Sequence, residues 1–279
     1  MAVTTSEGSD RVLPATRVVS AAIVPFLVAA FAVLFPVPSD TGRLFAWEIN
    51  APMTAMVLGA VYLGGAYFFV RALRANSWQA VRGGFLPIAL FASLLGITTI
   101  EYWDQFNHQQ LAFWLWAGLY FTTPFLILWV WLLNRRQEAR ALPEDRQLPA
   151  GAATAIAVVG GLALLTGLSL FLLPQRAVAL WPWPLTPLTA QVLGAIWCLG
   201  SAGLGALVDR RWSSARIPIQ VAVLMLTLIA VAAGRAHAGF APANPLTWPW
   251  VAGMTGLLLA LGVLYVRMEH RRAPVHRSR

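Results

Sequence analysis

Glu101, Asp104 and His108, in the run Glu101-Tyr-Trp-Asp104-Gln-Phe-Asn-His108, come nearest in this chain to a reactive set. On a continuous helix the three positions fall within about 60° of one another. Two carboxylates beside an imidazole can bind a divalent cation or move protons. The spacing matches no recognised metal motif, and a solvated helix end is the simpler use of such residues, so no metal, no cofactor and no catalytic residue is assigned. Farther along the chain, Arg235 and His237 stand at the end of another apolar run. Their opposite charge predicts an ion pair from Arg235 to Asp104 or Glu101, with all five residues gathered at one mouth of the protein. His108 and His237 occupy roughly equivalent places, an arrangement that invites haem. Membrane b-type haems, however, use histidines that face each other inside a bundle, and these two lie at loop junctions.

The elements that must carry these residues are apolar. Of 279 residues, 58% are hydrophobic and 11% charged, far from the roughly 25% charged composition of soluble domains. Eight runs, at 18–37, 52–71, 84–103, 111–133, 151–173, 187–207, 217–235 and 247–267, each approach the ~20 residues that cross a bilayer. Runs this long must be helices, because lipid offers no partner for an open backbone. The predicted fold class is therefore an all-α integral membrane protein with eight transmembrane helices. The single Cys198 allows neither an intrachain disulfide nor a cysteine metal cage. No Asp, Glu, Lys, Arg or His falls in the middle third of any run, which counts against a proton- or sodium-coupled carrier.

All twenty basic residues are arginine, and the net charge is +9. In a soluble protein that would suggest nucleic acid. Here seventeen arginines fall in the two tails and in the loops after runs 2, 4 and 6, leaving Arg43, Arg176 and Arg235 for the alternate loops. The positive-inside rule accounts for this without nucleic acid and puts both termini in the cytoplasm of a protein integral to the cell membrane.

The chain also repeats itself. Pro52 to Tyr62, PMTAMVLGAVY, and Pro187 to Trp197, PLTAQVLGAIW, agree at seven of eleven positions. Matching punctuation extends outward: Trp47 with Trp183, Trp78 and Arg82 with Trp212 and Arg216, Pro87 with Pro218, and Trp114 and Trp116 with Trp248 and Trp250. Four runs per half is an even number, so the repeats at 18–133 and 151–267 should be parallel and related by a pseudo-two-fold axis along the membrane normal. Residues 1–17 read as a disordered cytoplasmic tail, 134–150 as a cytoplasmic linker and 268–279 as a basic cytoplasmic tail.

Two further patterns bear on function. Gly59, Gly64 and Gly65 in run 2, with Gly194, Gly200, Gly203 and Gly205 in run 6, make small-residue faces on which a second helix can approach closely, and the expectation is that runs 2 and 6 meet. Trp181, Trp183, Trp248 and Trp250 form two Trp-Pro-Trp units; they serve as an interfacial belt or as an aromatic groove for an amphipathic or isoprenoid-like ligand. Pro25 and Pro124 lie inside runs 1 and 4, and the hydroxyls of Thr122 and Thr123 can satisfy carbonyls freed by a kink.

The phrase Leu180 to Trp197, LWPWPLTPLTAQVLGAIW, resembles a group of bacterial multi-span membrane proteins, and the resemblance implies a membrane fold without an activity. The leading expectation from the sequence is a non-catalytic scaffold or accessory subunit whose partners are membrane lipid and a homo-oligomeric or membrane-complex neighbour. The alternatives are a facilitator or binder of an apolar or amphipathic small molecule, and an outer-interface enzyme using Glu101, Asp104 and His108.

Overall fold

The computed structural model describes residues 10–136 and 145–270. Eight helices are long and apolar enough to cross a membrane: α1 (Pro14–Leu34), α2 (Pro52–Arg74), α3 (Arg82–Glu101), α4 (Leu111–Asn134), α5 (Ala150–Leu172), α6 (Pro187–Val208), α7 (Trp212–Arg235) and α8 (Thr247–His270). Their bounds follow the hydropathy runs closely. The largest shifts are at α7, which begins at Trp212 rather than Ile217, and at α1, which begins at Pro14 rather than Val18, because proline is suited to the first helical turn, where its missing N–H costs nothing. Residues 10–17 therefore belong to the folded chain, whereas 1–9, 137–144 and 271–279, where most of the expected tails and linker fall, lie outside the described residues.

The helices pack as neighbouring pairs, α1 on α2, α3 on α4, α5 on α6 and α7 on α8, and two cross-contacts, α2 with α7 and α3 with α6, join the pairs into one bundle. Most arginines of the described residues lie at one end, here the basic end; Trp47, Trp103, Trp183 and Trp248 mark the opposite, tryptophan end. α2 is the most enclosed helix and α8 the least, with only Thr247, Leu261 and Met268 buried.

Glycines set the closest approach. The small-residue face of α6 packs on α5, not on α2: a Cβ built at Gly203 would lie 2.6 Å from the Ile156 carbonyl oxygen, and one at Gly160 would lie 2.6 Å from that of Gly200. On α2, Gly59 faces Leu34 and Phe35 at the end of α1, and Gly64 faces Met225 of α7. The expected meeting of runs 2 and 6 is thus a minor contact. The reason is that α5 carries Gly160 and Gly167, a matching small face that makes a better partner for α6 than the larger side chains of α2. Beside this seam α6 changes geometry. It is α-helical over Pro187–Cys198, tightens to a 3₁₀ helix over Leu199–Leu204 and returns to α over Gly205–Val208.

Two similar docks start the long segments at the basic end. The Asp10 carboxylate accepts from the Gln79 backbone N–H (3.1 Å) and the Ser77 hydroxyl. Asp145 accepts from the Ser213 backbone N–H (3.3 Å) and the Ser213 hydroxyl. Ser213 is in the first turn of α7, where N–H groups lack helical partners and a carboxylate is favoured. The two aspartates open the phrases Asp10-Arg-Val-Leu-Pro14 and Asp145-Arg-Gln-Leu-Pro149, 135 residues apart.

Candidate functional site

The reactive set of the sequence does not converge. Glu101, at the end of α3, accepts from Gln191 Nε2 (2.9 Å), and Gln191 Oε1 accepts from Thr98 (3.0 Å), so these residues form an α3–α6 tie. Asp104 is exposed on a short 3₁₀ turn, Trp103–Gln105. His108 packs edge-on to Phe113 and tilted against Trp103, its Nε2 buried without a hydrogen-bond partner. Among the described residues no group of three His, Cys, Asp or Glu converges to hold a metal.

The expected ion pair is likewise replaced. Arg235 donates to the carbonyls of Phe35 (2.6 Å) and Pro36 (3.1 Å), and its guanidinium stands over the Phe35 ring. Carbonyls left free where α1 ends are ready acceptors for a planar guanidinium, and they satisfy it without a carboxylate. His237, on the exposed turn after α7, bonds the Gly234 carbonyl. Its turn, His237–Gly239, stands to α7 as Trp103–Gln105 stands to α3, so His237 matches Trp103 in register and not His108.

The Trp-Pro-Trp residues divide. Trp248 is exposed, but Trp181, Trp183 and Trp250 are drawn into one knot in which Trp183 meets Trp181 at 5.3 Å, Trp250 at 5.1 Å and Phe240 at 5.2 Å between ring centroids. A second knot lies around Trp47, which meets Phe45 at 5.0 Å, Trp116 at 4.8 Å and Phe106 at 5.2 Å. Each is tied by one backbone bond of the same kind, Asn107 N–H to Ala46 and Ala241 N–H to Pro182, both 2.9 Å. Their indole N–H groups differ. Trp116 donates to Thr99 (2.8 Å) and Trp183 to Thr54 (2.8 Å), while Trp47, Trp181 and Trp250 hold buried N–H groups without a partner.

Below the Trp183 knot a cavity of about 1030 Å³ opens, lined by side chains from all eight helices. α1 and α4 approach each other, fastened where the buried Asn134 donates to Thr16 and Val130 and accepts from the Leu13 N–H (3.1 Å). α5 and α8 make no comparable approach, and both line the cavity. Its wall is mainly apolar, with the Tyr62–Tyr120 hydroxyl pair (2.9 Å) and the partnerless Thr123 hydroxyl midway. Thr122 bonds back to the Gly118 carbonyl, two residues before the Tyr120 carbonyl that Pro124 deprives of its helical N–H, and the Thr123 hydroxyl has no partner, so neither hydroxyl takes up the freed carbonyl.

At the basic end the cavity wall includes Arg82, Asp209 and Ser214, which sequence reasoning missed. Asp209 pairs with Arg82 (3.0 Å) and Arg211 (2.9 Å) and accepts from Gln79 and Ser214. Burial works to raise its carboxyl, but the hydrogen bonds from Arg211 and Ser214 outweigh it and hold the group at about 2. The available signal was an acid set directly before Arg210 and Arg211 in a loop otherwise read only for its positive charge. Comparison with protein-family models, curated proteins and solved structures finds no match.

Proposed function

We propose that this is an integral protein of the cell membrane whose cavity binds an apolar or amphipathic small molecule. The observation that carries the reading is the cavity itself. A void of about 1030 Å³ with an apolar wall is at the upper end of ligand-pocket sizes, roughly 300–1,000 Å³, and a scaffold has no need of it. The sequence favoured a scaffold because a cavity leaves no mark on hydropathy. The separation of Glu101, Asp104 and His108 into different contacts removes the main support for an enzyme at that end.

In this reading both termini are cytoplasmic, since the basic end carries most of the arginines. The bundle comprises two parallel four-helix repeats, 18–133 and 151–267, about a pseudo-two-fold along the membrane normal. Exchanging α1–α4 with α5–α8 maps each adjacent pair onto a pair and turns the α2–α7 contact into α6–α3, which supports the duplication. The paired aspartate docks and tryptophan knots support it further. Reporter fusions at Gln147 and Asn107 should report opposite compartments; the same compartment for both would overturn the topology.

Extraction and mass spectrometry of purified protein test the binding reading. A small molecule should be retained by wild type and lost from Ala222→Phe, which fills the cavity from α7. Equal recovery from both proteins would mean annular lipid and would sink the proposal.

A further inference from the structure

We propose that Arg71, with Tyr265 across the seam from it, holds the phosphate of an anionic phospholipid where α2, α7 and α8 meet at the basic end of the bundle. The site is separate from the cavity, since Arg71, Gln220 and Tyr265 are not among the residues that line it. The inference therefore goes beyond the cavity-binding reading and does not depend on it.

Three helices hold the guanidinium in place. Arg71 Nη1 donates to the Tyr67 hydroxyl (2.8 Å), one turn earlier on α2, and to Gln220 Oε1 of α7 (2.7 Å). The same oxygen accepts from the Tyr67 hydroxyl (2.9 Å), and Gln220 Nε2 donates to the Tyr265 hydroxyl of α8 (2.8 Å). Each oxygen of this network already accepts a bond, and what is left over is donors. The Nε–Nη2 edge of Arg71 and the Tyr265 O–H meet no acceptor among the described residues, and Arg71 is half-buried with that edge open to the surface.

Other arginines show what is missing here. Arg82 and Arg211 meet Asp209, Arg216 meets Glu269, and Arg235 meets the carbonyls at the end of α1. α2 and α7 contain no Asp or Glu, and Glu269, the one acid of α8, pairs with Arg216. A positive charge held partly out of water by neutral side chains calls for an anion from outside the chain. Arg71 lies three residues before the end of α2, about 5 Å along the axis. In the topology proposed above that is the level of the cytoplasmic headgroups, where anionic lipids are concentrated. The free guanidinium edge can give two parallel N–H bonds to a phosphate. Its uncompensated charge favours a headgroup of net negative charge over a zwitterionic one, whose ammonium would find no unengaged carboxylate on these helices.

Titration of the full-length protein in neutral detergent tests the site, with dioctanoyl phosphatidylglycerol as probe and 1,2-dioctanoylglycerol, which has the same chains and no phosphate, as reference. Phosphatidylglycerol should bind about tenfold or more tighter than the reference, the range for hydrogen bonds to a charged group. Arg71→Gln should remove that advantage and leave the reference unchanged, whereas Arg135→Gln, which deletes an exposed arginine of the same end, should cost less than about twofold. Tyr265→Phe keeps the ring and should weaken the probe about threefold. Where Arg71→Gln does not fold, that loss carries the test, and its absence overturns the inference. An equal loss in Arg71→Gln and Arg135→Gln would mean diffuse attraction to the basic end, and no advantage over the reference in wild type would mean no phosphate site; either overturns it. Inorganic phosphate in large excess at constant ionic strength should not displace the lipid, and displacement would assign the site to free phosphate instead. Loss of phosphatidylglycerol binding in Ala222→Phe would place the lipid in the cavity, overturning the site at Arg71 while supporting the cavity reading.

Discussion

The two tryptophan knots have nearly the same ring spacings, yet they do different things. Around Trp47 the rings of Phe45, Phe106 and Trp116 pack together, and at the opposite, basic end of α4 Asn134 fastens that helix to α1. Around Trp183 similar rings border a void, because α8 packs on α7 but not closely on α5. Segments of similar sequence can thus keep similar ring packing while the space beneath them differs. The positions at which the two knots differ are small in number: Phe45 against Trp181 and Thr99 against Ala233.

The comparison is most directly broken at its centre. Trp47→Ala should destabilise the protein by about 3–5 kcal/mol, the range for a buried aromatic lost from a close-packed site, as read by reversible unfolding in mixed micelles. A cost below about 1 kcal/mol would show that the rings fill no common core. Asn134→Ala removes the fastening of α1 to α4 and leaves the half-buried Leu13 N–H and the buried Thr16 hydroxyl without their partner, so a loss of about 2 kcal/mol is expected in the same assay.

The Asp209 junction between the halves predicts a pH dependence. The folded-state value of about 2 lies below the ordinary 3.8, so the stabilisation is fully present above about pH 4 and is lost as pH falls toward 2. It amounts to roughly 2 kcal/mol. Asp209→Asn should flatten that part of the stability profile; an unchanged profile would place the acid sensitivity elsewhere. A smaller effect sharpens the difference between the knots: Thr99→Ala leaves the Trp116 N–H unmet and should cost about 1 kcal/mol. The smallest concerns the exposed Asp104. Asp104→Arg should change stability by no more than about 0.5 kcal/mol, and adding Arg235→Asp should not restore anything, because Arg235 serves the Phe35 and Pro36 carbonyls.

Helix positions were legible in the sequence because hydropathy and length alone determine which runs are long enough to span. The partner of each helix was less so. The glycines of α6 were visible, but their partner depended on Gly160 and Gly167 of α5, which matter only as a matched face. Arg235 was read by charge and found carbonyls, because a helix end offers acceptors that no residue letter records. Asp10 was assigned to a tail, although its phrase returns at Asp145. The cavity had no signature at all, being the consequence of an approach that α5 and α8 do not make.

The tightened stretch of α6 acts as a spacer with a fixed twist. Six residues, Leu199–Leu204, rise about 2.0 Å each in a 3₁₀ helix against about 1.5 Å in an α-helix, and turn about 120° each against about 100°. Everything after them is carried about 3 Å farther along the axis and about 120° farther around it than unbroken α geometry would bring it. Asp209 comes just after that spacer. Its reach to Arg82 and Gln79 on the other half is therefore set in the middle of α6, where Gly200 and Gly203 leave room for the tighter turn against α5.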